Sequence, residues 1–64
     1  MERRATLGAV IDRLAADFPG LPRREVVVAA VEAWALFEAE RDEPVIRAVV
    51  TEWYVRTNLQ QPAA

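Results

Sequence analysis

A chain of 64 residues can build one hydrophobic core, and a domain of that size leaves about 40% of its unfolded surface in water, so it needs some further source of stability. There is no cysteine and no histidine, which excludes disulfides and every metal site made of thiolate or imidazole, leaving association and dense helix packing as the available routes. The formal net charge of −2, with all eight basic residues arginine, argues against broad attraction to nucleic acid or to an anionic membrane.

Lysine and serine are absent too, and with abundant alanine and valine this matches the residue usage of GC-rich bacterial genomes. The N-terminus Met1-Glu2-Arg3-Arg4 leads into an amphipathic stretch and not a cleavable apolar segment, so no signal peptide is expected. The longest uncharged runs, 26–31 and 33–37, are far short of the ~20 apolar residues that span a bilayer. These features predict a cytoplasmic protein with no membrane partner.

Three segments carry helical periodicity, over about 5–17, 22–40 and 43–59. In the first, Leu7, Val10, Ile11, Leu14 and Phe18 follow the i, i+3, i+4, i+7 rule. Thr6 is the expected N-cap. Phe18 precedes Pro19, which pushes it out of helical geometry, so the helix should stop near Asp17, with Gly20 giving the turn backbone freedom. In the second, Pro22 opens the helix, Glu25 stands where a capping box places its acid, and Leu21 and Val26 are spaced as a hydrophobic staple. Val26 to Val31 have strand propensity, but the periodic pattern continues through Trp34, Leu36 and Phe37 towards Glu40 and no second strand exists to pair with it. Asp42-Glu43-Pro44 marks the third start. That helix carries Val45, Ile46, Val49, Val50, Trp53 and Tyr54 and fades after Leu59 into a frayed tail. Short connections between helices predict an all-α, compact three-helix bundle.

The helices carry more apolar surface than one such core can cover. At 100° per residue, Val26, Val27, Ala30, Trp34 and Phe37 share an arc of helix two. Val28, Val31 and Ala35 extend it on one side and Leu36 on the other, far beyond the ≳100° stripe of a helix packed on one core. In helix three, Ile46, Val49, Val50 and Trp53 are assigned to the core, and Ala48, Val55 and Leu59 form a second stripe. Trp34 and Trp53 are expected to share the core. A central helix in any small bundle is unusually apolar, which is the plainer account of the excess. Apolar patches of several hundred Å² are nevertheless uncommon on monomers, so a protein interface is predicted at Val28, Val31, Ala35, Leu36, Tyr54, Val55 and Leu59. Charge at Val31 or Val55 should then dissociate a dimer, and charge at Ile46 should unfold the chain.

No catalytic, cofactor or metal residues emerge. Thr6, Thr51, Thr57 and Tyr54 have no histidine or lysine to activate them. Glu38, Glu40, Asp42 and Glu43 cluster without the glycine turn and alternating ligands of a calcium loop and read as a solvated helix end. Gly8 and Gly20 stand alone and make no phosphate loop. Three short helices can form a helix-turn-helix, with Arg3, Arg4, Arg23 and Arg24 as basic candidates, but Arg47 and Arg56 of the would-be recognition helix sit among apolar residues, and nucleic acid is not expected. Glu52 and Arg56, at i, i+4, read as an exposed pair worth a few tenths of a kcal/mol.

The stretch Val10-Ile11-Asp12-Arg13-Leu14-Ala15-Ala16-Asp17-Phe18-Pro19, then Pro22-Arg23-Arg24-Glu25-Val26, then Val31-Glu32-Ala33-Trp34-Ala35-Leu36-Phe37 resembles the actinobacterial three-helix-bundle dimerization domains. These occur alone and ahead of protein-tyrosine-phosphatase-like and arsenate-reductase-like domains. Pro22 stands where serine or threonine commonly caps in that family. The resemblance implies a homodimer without catalytic activity. Phe18-Pro19 after an amphipathic helix is similar to the CUE-type ubiquitin-binding fold, although the third helix lacks that family's paired leucines. The leading expectation is a homodimerization module; the alternatives are a heteromeric adaptor, a small DNA-binding module and a CUE-like binder.

Overall fold

Thr6 starts the first helix as its side chain predicts. Its Oγ1 accepts the Ala9 N–H at 3.1 Å from an extended backbone, satisfying a donor that the first turn would otherwise leave orphaned. In the computed structural model, which describes residues 5–60, helix α1 runs Leu7–Asp17. Phe18 leaves helical geometry ahead of Pro19 while its N–H still donates to Leu14 O at 3.0 Å. A bond from the Leu21 N–H to Phe18 O, also 3.0 Å, closes the turn. No described glycine takes a positive φ, so the proline and this hydrogen bond shape the turn, and the freedom of Gly20 is not used.

Helix α2 runs Arg23–Leu36 with Pro22 as its N-cap. Pro22 has no side-chain acceptor, so no side-chain capping bond forms; Pro22 O instead takes the Glu25 N–H at 3.0 Å, and Glu25 lies in the first turn, where an acidic group suits the helix dipole. The second helix was expected to reach Glu40, but its α-helical part ends four residues earlier. Phe37 caps it, and Glu38–Glu40 forms a 3-10 turn. The bonds Glu40 N–H to Phe37 O and Arg41 N–H to Glu38 O, each 3.0 Å, tighten the chain there, as is common where a helix must stop and turn. Helix α3 then runs Pro44–Gln60. The tail beyond it and the Arg3-Arg4 pair lie outside the described residues.

Every helix packs against both others, and no strand occurs among the described residues. The principal dimensions are 35 × 22 × 15 Å. The core is built from Val10, Ile11 and Leu14 of α1, Val26, Ala30 and Ala33 of α2, and Ala48, Thr51 and Val55 of α3, with Ala5 at one end. The contributions of α2 and α3 are mostly small side chains, so the two helices can approach closely and leave little volume for a large ring.

That packing reverses the expected assignment on α3. Val55 is 1% exposed and belongs to the core, whereas Ile46, Val49 and Trp53 face solvent, Trp53 at 65%. Leu59 is half-buried against the core. Val55 therefore leaves the predicted interface, Leu59 is only partly available to one, and Ile46, Val49 and Trp53 leave the predicted core. Trp34 and Trp53 share no core: Trp34 is half-buried and Trp53 is outside. The cause is rotational. At 100° per residue the two apolar stripes of α3 lie about 150° apart, so periodicity alone offers two nearly equivalent settings. The charged residues of the helix choose between them.

Candidate association surface

Three residues of α3 are charged: Arg47, Glu52 and Arg56. All three reach back into the bundle. Glu52 accepts from Arg13 Nε of α1 at 2.8 Å and from Arg56 Nη2 at 2.8 Å, and Arg56 Nη1 pairs with Asp17 of α1 at 2.7 Å. The result is a chain Arg13, Glu52, Arg56, Asp17 that ties α3 to α1, with the Arg56 guanidinium also 5.9 Å from the Phe18 ring centre. The Glu52–Arg56 contact, expected to be an exposed pair on one helix, is thus the middle of an interhelical network. Burial raises the Glu52 carboxyl, but the hydrogen bonds from Arg13 and Arg56 together with their charges outweigh it, and its pKa lies below the ordinary 4.5. Arg56 is raised, first by its hydrogen bond to Glu52 and then by that to Asp17.

Arg47 binds the other neighbour. Its Nε and Nη2 donate to the Trp34 backbone oxygen at 3.1 and 2.6 Å, and its guanidinium carbon sits 4.2 Å from the centre of the Trp34 ring. Trp34 O is one of the last carbonyls of α2, which the helix cannot satisfy once it stops at Leu36. A cation at that end also suits the dipole. Arg47, read from sequence as isolated among apolar residues, is the C-terminal cap of α2 supplied from α3. The only sequence signal for it was an unpaired arginine placed a short loop beyond a helix end.

With its charges turned inward, α3 presents Ile46, Val49 and Trp53 outward, flanked by Val45 and by Tyr54, and Val50 is half-buried between them. Tyr54 also meets the Phe37 ring edge-on at 5.8 Å. On α2 the expected interface residues Val28, Val31, Ala35 and Leu36 are exposed, Val28 at 51%. Val28, Val31 and Ala35 form a line opposite the buried Val26, Ala30 and Ala33, with exposed Arg24 continuing the line and exposed Glu32 at its edge. Of the seven residues predicted for an interface, Val28, Val31, Ala35, Leu36 and Tyr54 are thus at the surface. Ile46, Val49 and Trp53 join that surface although the sequence pattern places them in the core, because their bulk is no sign of burial beside so many small core residues.

Little else invites chemistry. A shallow groove between Arg24, Glu25, Val28, Ala29, Glu32 and Leu59 brings no nucleophile and base together. Among the described residues no three carboxylates are placed to hold a metal ion, and no helix is long and apolar enough to cross a membrane. In the acidic cluster, Glu38 pairs with Arg41 at 3.0 Å. Of the arginines weighed for a nucleic-acid groove, Arg23 pairs with Asp12 at 2.8 Å, while Arg47 and Arg56 are engaged as above. No family model, curated protein or solved structure matches the chain.

Proposed function

We propose that the chain is a non-enzymatic association module that forms a homodimer. The observation that carries this reading is the outward apolar surface of α2 and α3: among the described residues eight large apolar side chains are exposed, on a domain whose sequence provides no disulfide and no thiolate or imidazole ligand. Contiguous apolar patches beyond a few hundred Å² are characteristic of interaction sites, and a domain of this length is marginal on its own core. The resemblance to the actinobacterial three-helix-bundle dimerization domains agrees with this reading and remains part of the proposal.

Association that is linked to folding makes the melting temperature depend on protein concentration. Thermal unfolding followed by circular dichroism over a hundredfold dilution series tests the proposal. The transition should move to lower temperature on dilution, and a midpoint independent of concentration would count against a folding-linked dimer.

A further inference from the structure

We infer that the homodimer closes through α3 alone, with two copies of the Ile46, Val49, Val50 and Trp53 face lying antiparallel about a two-fold axis near Val49 and Val50. This rests on the homodimer reading and adds to it a face, a direction and a pairing.

Charge selects the face. All three charged residues of α3 are held by α1 and α2, so even Arg56, one turn past Trp53 with 31% of its side chain exposed, is already paired and a second copy has no unpaired α3 ion to desolvate. The outward line of α2 is different, because exposed Arg24 continues it and exposed Glu32 borders it. Size agrees as well. The exposed parts of Val45, Ile46, Val49, Trp53 and Tyr54 amount to roughly 500 Å² when an aromatic side chain is taken as 150–250 Å². Two such faces would cover about 1,000 Å² in all, the size at which a specific interface begins.

Shape selects the direction. The spacing i, i+3, i+4, i+7 makes a short seam of the kind along which two helices pack. An isologous contact turns the seam end for end. Trp53 of each copy then lies over the smaller Ile46 of the other, and Val49 meets Val50 at the axis. A parallel arrangement would instead stack tryptophan on tryptophan at one end and isoleucine on isoleucine at the other, giving layers of unequal thickness.

The test combines light scattering of the full chain with a distance. Val49→Arg should raise the dimer dissociation constant ~30-fold or more, as loss of a central contact does, while Val28→Arg changes it less than ~3-fold, both at unchanged helix content. Because the chain has no cysteine, Thr57→Cys carries a single nitroxide label at an exposed position of α3. Fifteen residues of rise and the usual helix separation put the two labels about 25 Å apart in the antiparallel dimer and about 10 Å apart in a parallel one. A dimer that survives Val49→Arg, one that Val28→Arg dissociates as strongly, or a label separation near 10 Å would overturn this inference and leave the homodimer standing. A wild-type monomer would remove both. The label distance remains decisive if Val49→Arg fails to fold.

Discussion

Replacing Thr51 with valine should make the protein more stable. Thr51 is completely buried on the inner face of α3, and its Oγ1 has no hydrogen-bond partner. A buried hydroxyl left unpaired costs about 1–3 kcal/mol relative to one that keeps its water. Valine preserves the β-branched shape, and the two residues have nearly equal helix propensities, so neither packing nor backbone preference offsets the gain. The net effect should be about 1–2 kcal/mol, which for a domain of 60–100 residues corresponds to roughly 4–16 °C in Tm. Urea and thermal unfolding at one fixed protomer concentration measure it. Thr51→Ser is the control: it keeps the hydroxyl and deletes a methyl, and should cost about 1 kcal/mol. A Thr51→Val protein no more stable than wild type would refute the claim that this hydroxyl is unsatisfied in the folded protein.

Three further outcomes follow from the same geometry. Val55→Asp should unfold the chain, because an unpaired charge in the core costs ~4 kcal/mol or more, comparable to the total of about 3–10 kcal/mol expected for a domain this small; Ile46→Asp should leave circular dichroism native, and the opposite pattern would restore the sequence-based assignment of the stripes. Glu52→Gln should flatten the acid limb of the stability profile. The folded pKa of Glu52 is depressed below 4.5, so its contribution is present above the unfolded value and lost as pH falls through the folded one; urea midpoints between pH 6 and pH 2 that decline equally in both proteins would contradict the network. Arg47→Leu should cost about 1–3 kcal/mol through the lost bonds to Trp34 O, and should change Trp34 fluorescence through the lost stacking; Arg47→Lys should recover little, since an ammonium cannot supply the two-pronged contact.

The helix starts and the end of α1 are legible because each has a local cause: the Thr6 cap, the Phe18-Pro19 stop, and the prolines at 22 and 44. The rotation of α3 is not. Its two apolar stripes satisfy the same periodicity, and the deciding contacts join Glu52 and Arg56 to residues some forty positions earlier, which helix-local pairing rules do not reach. Reading Trp53 as core because it is large neglected that alanine and threonine, buried at Ala30, Ala33, Ala48 and Thr51, bring helices together and leave bulky neighbours outside. The early end of α2 was hidden for a similar reason, since the cap for Trp34 O comes from the next helix.

The central claim, that the outward apolar face exists to meet a second copy, is tested most directly by the solution mass of the wild-type chain. Light scattering across a concentration series reaching the micromolar range should give twice the 7.2 kDa chain mass, falling towards the single-chain value only on strong dilution. A mass of one chain throughout that range would contradict it.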